Sequence, residues 1–324
     1  MVESSPSAGN SPGTLTIYNN TPDAPRSSDN TEFSSHSSEN IFEKMSELIS
    51  EANRWKFTSP GRLAFRMNVK IRKCRETDTS CYVLVQGAGE GMVDRIEEAF
   101  MHYGIRSLVR FTYEYDVEAL IIKCVIGVPH ARISRSFIQK VTKEIDGIPG
   151  HSEFSYRHTG DGELRVLGKR SKQADEGIAP AGTRDAETAW PTLVIEVGDS
   201  QSLAGLHRDA EWWLVHSKGL TRMVILIKLT KPPSPLNLHL EQWIMMKDES
   251  KTETRTRKPK KPGRALYWDI NAAGKVTHHK KHPNLTIPYL TIFDVGHANA
   301  TDIVISAAYM KQWALHVFKG LNPQ

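Results

Sequence analysis

QADEGIAP at residues 173–180, PTLVIEVGDSQSL at 191–203, HRDAEWWL at 207–214 and RMVILIK at 222–228 decide the fold of this chain. Leu193 to Val197 is a short run rich in β-branched residues, which predicts a strand buried on both faces. Strand alternation puts Thr192, Val194, Glu196 and Gly198 on one face and Leu193, Ile195 and Val197 on the other. Ser202 then caps a helix whose Leu203, Leu206, Ala210, Trp213 and Leu214 form one apolar stripe. Gly219 stops that helix, and Met223 to Ile227 is a second apolar strand. Strand, helix and strand at this spacing predict a crossover between parallel strands. An ionised carboxylate inside such a strand is costly unless it is paired or holds a metal. Glu196 therefore needs a partner, and Asp175, in a short turn-rich segment upstream, is the nearest acid of interest.

These pieces resemble the PD-(D/E)XK nuclease superfamily. Its signature is Pro or Ala before Asp, a spacer, then apolar-Glu-x-Lys. The chain is most similar to a branch of restriction-endonuclease-like proteins of unassigned biology. The matching pieces are a hairpin within Val109 to Val128, the turn Val128-Pro129-His130, Ala174-Asp175, Pro191 to Val197, and Trp212-Trp213. The resemblance spans about residues 108 to 230, an ordinary domain size. It implies a restriction-endonuclease-like mixed central sheet flanked by helices.

The resemblance also implies a Mg²⁺ (or Mn²⁺) site with Asp175 and Glu196 as ligands and the Val197 carbonyl as a third. Two carboxylates and a carbonyl are the oxygen donors that a hard cation takes. Such an ion lowers the pKa of a bound water and stabilises charge on a phosphodiester. The chain departs from the signature at Gly198, where the family has its Lys. The cations that can replace it are His207 and Arg208 on the following helix, Lys228 on the next strand, and Lys172 before Asp175. His130 and Glu144 are further candidates from the helix after Pro129, although both have ordinary structural readings. Glu196 also has one, as a buried acid paired with Arg208 or a backbone donor.

The rest of the chain bounds these readings. Hydrophobic residues make up 39% and charged ones 24% of 324 residues, enough to bury a core with extensions around it. A net charge of +5 permits a nucleic-acid partner without requiring one. Cys74, Cys81 and Cys124 carry no Cys-x-x-Cys spacing and read as free thiols rather than a disulfide framework or zinc site. The N-terminus shows no secretory signal and no run reaches membrane-span length, so an intracellular place, cytoplasmic or nuclear, is expected. Gly87-Ala-Gly89-Glu-Gly91 lacks the dinucleotide-binding spacing.

Residues 1–38 are rich in Ser, Pro, Asn and Thr and predict a disordered tail. Residues 39–107 predict a small α+β extension. In it, a helix carries Ile41, Met45, Leu48, Ala52 and Trp55. Strict alternation of Leu63, Phe65, Met67, Val69 and Ile71 with basic neighbours predicts a strand, paired with Cys81 to Gln86. Met92 to Tyr103 predicts a helix. Residues 108–230 hold the nuclease-like core, where Lys169-Arg170-Ser171-Lys172 reads as a basic turn, either meeting phosphates or simply solvated.

Residues 231–324 predict a β-rich region with strands at Leu238 to Met246, Ala265 to Ile270 and Leu285 to Phe293, then a helix from Ile303 to Phe318. Its basic stretch 251–264, including Arg257, Lys258, Lys260 and Lys261, suits a nucleic-acid tether or a plain exposed hairpin loop. The expected fold class is α/β (α+β overall). Two functions fit: a Mg²⁺-dependent nuclease, or a catalytically inactive nuclease-fold module that binds nucleic acid or protein.

Overall fold

The computed structural model describes residues 41–77, 80–125, 128–160, 163–166, 170–199, 201–247, 260–279 and 281–321. The expected tail, Lys169 and residues 251–259 lie outside them. Among the described residues the protein is a mixed α+β fold with seven helices, two large mixed sheets and one two-stranded ladder.

The chain enters through α1 (Ile41–Glu47) and β1 (Arg54–Lys56), so the single helix expected from Ile41 to Trp55 is broken and Trp55 lies in a strand. Next is α2 (Pro60–Glu76), where the sequence predicted a strand. Ser59 caps this helix by accepting the Arg62 N–H, and Pro60 stands at its first position, where a missing N–H costs nothing. Leu63, Met67 and Ile71 are buried with Ala64 and Cys74, while Phe65 and Val69 face solvent. Of the basic neighbours in this stretch, Arg62, Arg66 and Lys70 are four apart on the helix, where Arg66 stacks on Trp55 and Lys70 donates to Asn53.

β2 (Tyr82–Gln86), α3 (Val93–His102), β3 (Val109–Glu114) and β4 (Ala119–Cys124) follow, with β3 and β4 forming the expected hairpin. Helix α4 (Val128–Asp146) buries Ile133, Phe137, Val141 and Ile145, as its spacing predicts. β5 (Tyr156–His158), β6 (Glu163–Val166), β7 (Arg170–Gln173) and β8 (Glu176–Pro180) come next. The supposed basic turn before Asp175 is thus strand β7, buried at all four positions. The first sheet runs β1-β2-β4-β3-β7-β6, with β1 parallel to β2 and every other pair antiparallel.

β9 (Leu193–Gly198), α5 (Leu203–His216) and β10 (Met223–Thr230) realise the predicted crossover. Ser202 accepts the Gly205 N–H, and β9 and β10 pair in parallel. β11 (Asn237–Lys247), β12 (Lys260–Asn271) and β13 (Val276–His278) extend this second sheet to the order β13-β12-β11-β10-β9-β8-β5. The strand expected from Leu285 to Phe293 is instead β14 (Leu285–Ile287) plus the one-turn helix α6 (Tyr289–Ile292). The closing helix is split too: β15 (Ile303–Ile305) pairs with β14, and α7 (Ala307–Lys319) starts after the Ser306 cap.

Three apolar cores fill the spaces. One packs α2 and α3 on the first sheet. The second joins Leu84, Ala119 and Ile121 of the first sheet to α5, Val194, Leu226 and Trp243. The third packs α4 on the other face of β9, with α7 against α4, β12 and β13. These cores cross the boundaries expected at 107/108 and 230/231, because Leu84 and Trp243 share one and Ile195 and Trp313 another.

Candidate functional site

The polar end of the second core holds three acids and two lysines, supplied by five elements. Glu196 projects from β9 toward α5, as alternation requires. Asp175 follows β7, and its Oδ2 accepts the Val197 N–H at 2.8 Å, which ties the loop to β9. Val197 thus meets Asp175 through its amide. Lys123, the last cation of β4, donates to Asp175 Oδ2 at 2.6 Å and to Glu196 Oε2 at 3.1 Å. The other Glu196 oxygen accepts the Trp213 indole N–H at 2.7 Å. Lys172 from β7 lies 3.9 Å from Glu196 and donates to Asp209 of α5 at 2.6 Å. Gln201 donates to the other Asp209 oxygen at 2.7 Å.

All of these charges are out of water. Asp175 is 4% exposed, Glu196 and Asp209 1% each, Lys123 7% and Lys172 3%. Burial opposes ionisation of Asp175, but Lys123 and then His130 outweigh it and hold its carboxyl well below the usual range. Burial raises Glu196 to about 7; Lys123 and Lys172 pull it down, and Asp175 and Asp209 push it up. Burial also disfavours the Lys123 ammonium, yet Asp175 and Glu196 keep its pKa well above normal. Asp175 Oδ1, the Tyr82 hydroxyl and Gln201 Oε1 are buried here without hydrogen-bond partners. His130 Nε2 stands 3.3 Å from Asp175 Oδ1 but is not aligned for a hydrogen bond.

The structure sorts the sequence-predicted residues sharply. Asp175, Glu196, Lys172 and His130 come together. His207 does not join them, because its Nε2 donates to the Glu241 carboxylate of β11 at 2.8 Å. Leu226 stands between Glu196 and Glu241 in the cross-strand row, which puts the two acids two strands apart, roughly 10 Å. Arg208 pairs with Glu211 on its own helix at 2.6 Å. Lys228 stands opposite Gly198 in register, and its amine turns to the Asp199 carbonyl. Glu144 pairs with Lys140 on α4.

Among the candidate phosphate contacts, Arg170 is buried and pairs with Glu114 at 2.8 Å, and Lys172 is committed to the acids. Both are therefore internal ion-pair partners. Lys260 and Lys261 are exposed on β12, whereas Lys169, Arg257 and Lys258 lie outside the described residues.

Lys123, Asp209 and Tyr82 escaped the sequence reading. Lys123 was detectable by the argument that singled out Glu196: a charge inside the apolar run from Ala119 to Val125. Gly198 packs closely under α5. A Cβ there would come within 2.8 Å of the end of the Leu206 side chain, which would have to shift to admit a larger residue.

Among the described residues no three His, Cys, Asp or Glu side chains form a ready-made metal cluster. The donor chemistry still suits a hard cation, because Asp175 and Glu196 converge on a single positive charge and one buried Asp175 oxygen is unbonded. No described helix is long and apolar enough to cross a membrane. No protein-family model matches the chain. A search of curated proteins finds no relative.

Proposed function

We propose that the chain is a Mg²⁺-dependent nuclease of the PD-(D/E)XK kind, with a restriction-endonuclease-like core and its cation supplied by Lys123. The observation that carries this reading is one amine within hydrogen-bonding reach of both acids, which replaces the Lys that Gly198 lacks. Asp175 and Glu196 would hold the ion. When bound, the ion would polarise a phosphodiester and lower the pKa of a water. The Lys123 ammonium supplies fixed positive charge where the scissile phosphate gains negative charge. Val197 N–H and Trp213 N–H hold the two carboxylates in orientation.

A specific observation favours a second reading, a non-catalytic module that kept the fold. The carboxylates are sealed and already neutralised by lysines, which is how a structural ion-pair network is built.

Metal binding separates the two. Calorimetry with Mg²⁺ and Mn²⁺ is expected to detect binding to the wild type and none to the Asp175→Ala, Glu196→Ala double variant. Lys123→Gln, with folding checked by circular dichroism, is expected to lower cleavage of nucleic acid about 10²–10³-fold. If the wild type neither binds metal nor cleaves DNA or RNA, the non-catalytic reading stands instead.

A further inference from the structure

All three cysteines of the chain meet at one place, far apart in sequence. Cys124 ends β4, Cys81 directly precedes β2, and Cys74 lies on the last turn of α2. The Cys81 and Cys124 sulfurs are 3.2 Å apart. Tyr82 pairs with Lys123 across β2 and β4, and Cys124 N–H donates to the Cys81 carbonyl at 2.8 Å, which carries the register one step further. The two cysteines are therefore opposed cross-strand neighbours. Such a hydrogen-bonded pair has its Cα atoms about 5.5 Å apart, within the span of a disulfide, and the sulfurs are already in contact. Cys74 neighbours the pair from a helix rather than from the facing strand.

We propose that Cys81 and Cys124 form a reversible redox pair, in which peroxide oxidises Cys81 first and Cys124 closes the disulfide. Exposure sets the order: Cys81 is half-buried, while Cys74 and Cys124 are buried. Electrostatics agrees. The hydrogen bond from Cys124 brings Cys81 down to about 7 against the opposing effect of burial, and Cys74 and Lys70 help. Burial and then Cys81 push Cys74 up to about 12.

Thiolates, not thiols, attack peroxide. The Cys81 sulfur attacks one peroxide oxygen; the O–O bond breaks, a sulfenic acid forms, and the departing hydroxide takes a proton to become water. The Cys124 sulfur then attacks the sulfenic sulfur. An S–S bond forms, the S–O bond breaks, and hydroxide leaves with the Cys124 proton as a second water. Two thiols are oxidised and one hydrogen peroxide is reduced to two waters. A dithiol reverses the step by exchange.

Peptide mapping of the full-length wild type tests this without relying on variants. The protein is treated with one equivalent of hydrogen peroxide, blocked with N-ethylmaleimide under denaturing conditions and digested. The expected product is a linked Cys81–Cys124 peptide that dithiothreitol releases, with maleimide on Cys74. Under native conditions near pH 7, Cys81 should label at least about tenfold faster than Cys74. In Cys124→Ser, Cys81 should be captured by dimedone as its sulfenic acid. Maleimide on all three cysteines after peroxide would overturn the proposal. So would a Cys74–Cys81 link, or protection of all three thiols by stoichiometric Zn²⁺, which would make the cluster a metal site.

Discussion

At the residue scale, the electrostatic strain on buried Glu196 is visible in pH. In the unfolded chain its carboxyl has an ordinary value near 4.5, while in the fold burial raises it to about 7. The folded state therefore binds the extra proton between those values. The stability from that proton is fully present below about pH 4.5 and is lost as pH rises through 7. Asp175 acts in the opposite sense. Its folded carboxyl is depressed, so its contribution is present above its ordinary 3.8 and fades as pH falls further. Glu196→Gln should flatten the dependence of urea-unfolding free energy on pH between 4.5 and 7, by roughly 1–3 kcal/mol across the window. An unchanged slope would mean that another group takes up the proton. Lys123 teaches the matching lesson about legibility. A lone charge in an apolar run is a reliable flag, but the flag says nothing about which distant charge answers it, because β4 and β9 are brought together only by the packing of two sheets.

Helix α2 shows how an element can satisfy two patterns at once. Leu63, Met67 and Ile71 are four apart, and every multiple of four is also even, so the same residues fit a helical stripe and a strand face. Phe65 and Val69 complete the strand pattern, yet both are exposed. The Ser59-Pro60 start decides the matter, since a Ser cap followed by Pro suits a helix and gives a strand nothing. Substitution reads the outcome directly. Met67→Ala should cost about 2–5 kcal/mol in chemical denaturation. Phe65→Ala should stay within about 0.5 kcal/mol. Comparable costs at both positions would favour the strand. By contrast, β9, α5 and β10 were readable from sequence, because cap, stripe, stop and apolar runs all agreed. The C-terminal elements were less so. Residues 285–293 and 303–318 each join a short strand to a helix, and hydrophobic spacing alone cannot locate a junction where both elements are apolar.

At the scale of the whole molecule, the last segment is a structural wall rather than an appendage. Asp294 accepts Arg184 Nε and Nη2 at 2.8 Å, bonds Arg222, and takes the Thr183 hydroxyl at 2.8 Å, fastening the chain after α6 to the loop before β9. Burial resists ionisation of Asp294, but these partners keep its carboxyl below the usual range. Ile303, Ile305, Met310, Trp313, Val317 and Phe318 lie in the same core as Ile195 and Ile225. A chain ending at residue 302 should therefore lose cooperative thermal unfolding. A sharp transition retained by that truncation would show the segment to be dispensable.

The position of α7 also sets an order of assembly. Synthesis runs from the N-terminus, so α4, which packs on β9, is made before it, whereas α7, which packs on α4, β12 and β13, completes this core late. During translation that part of the core must wait, apolar and incomplete, until α7 leaves the ribosome. A stop codon just before α7 would leave it incomplete permanently, so such nonsense changes should read as aggregation rather than as mild shortening.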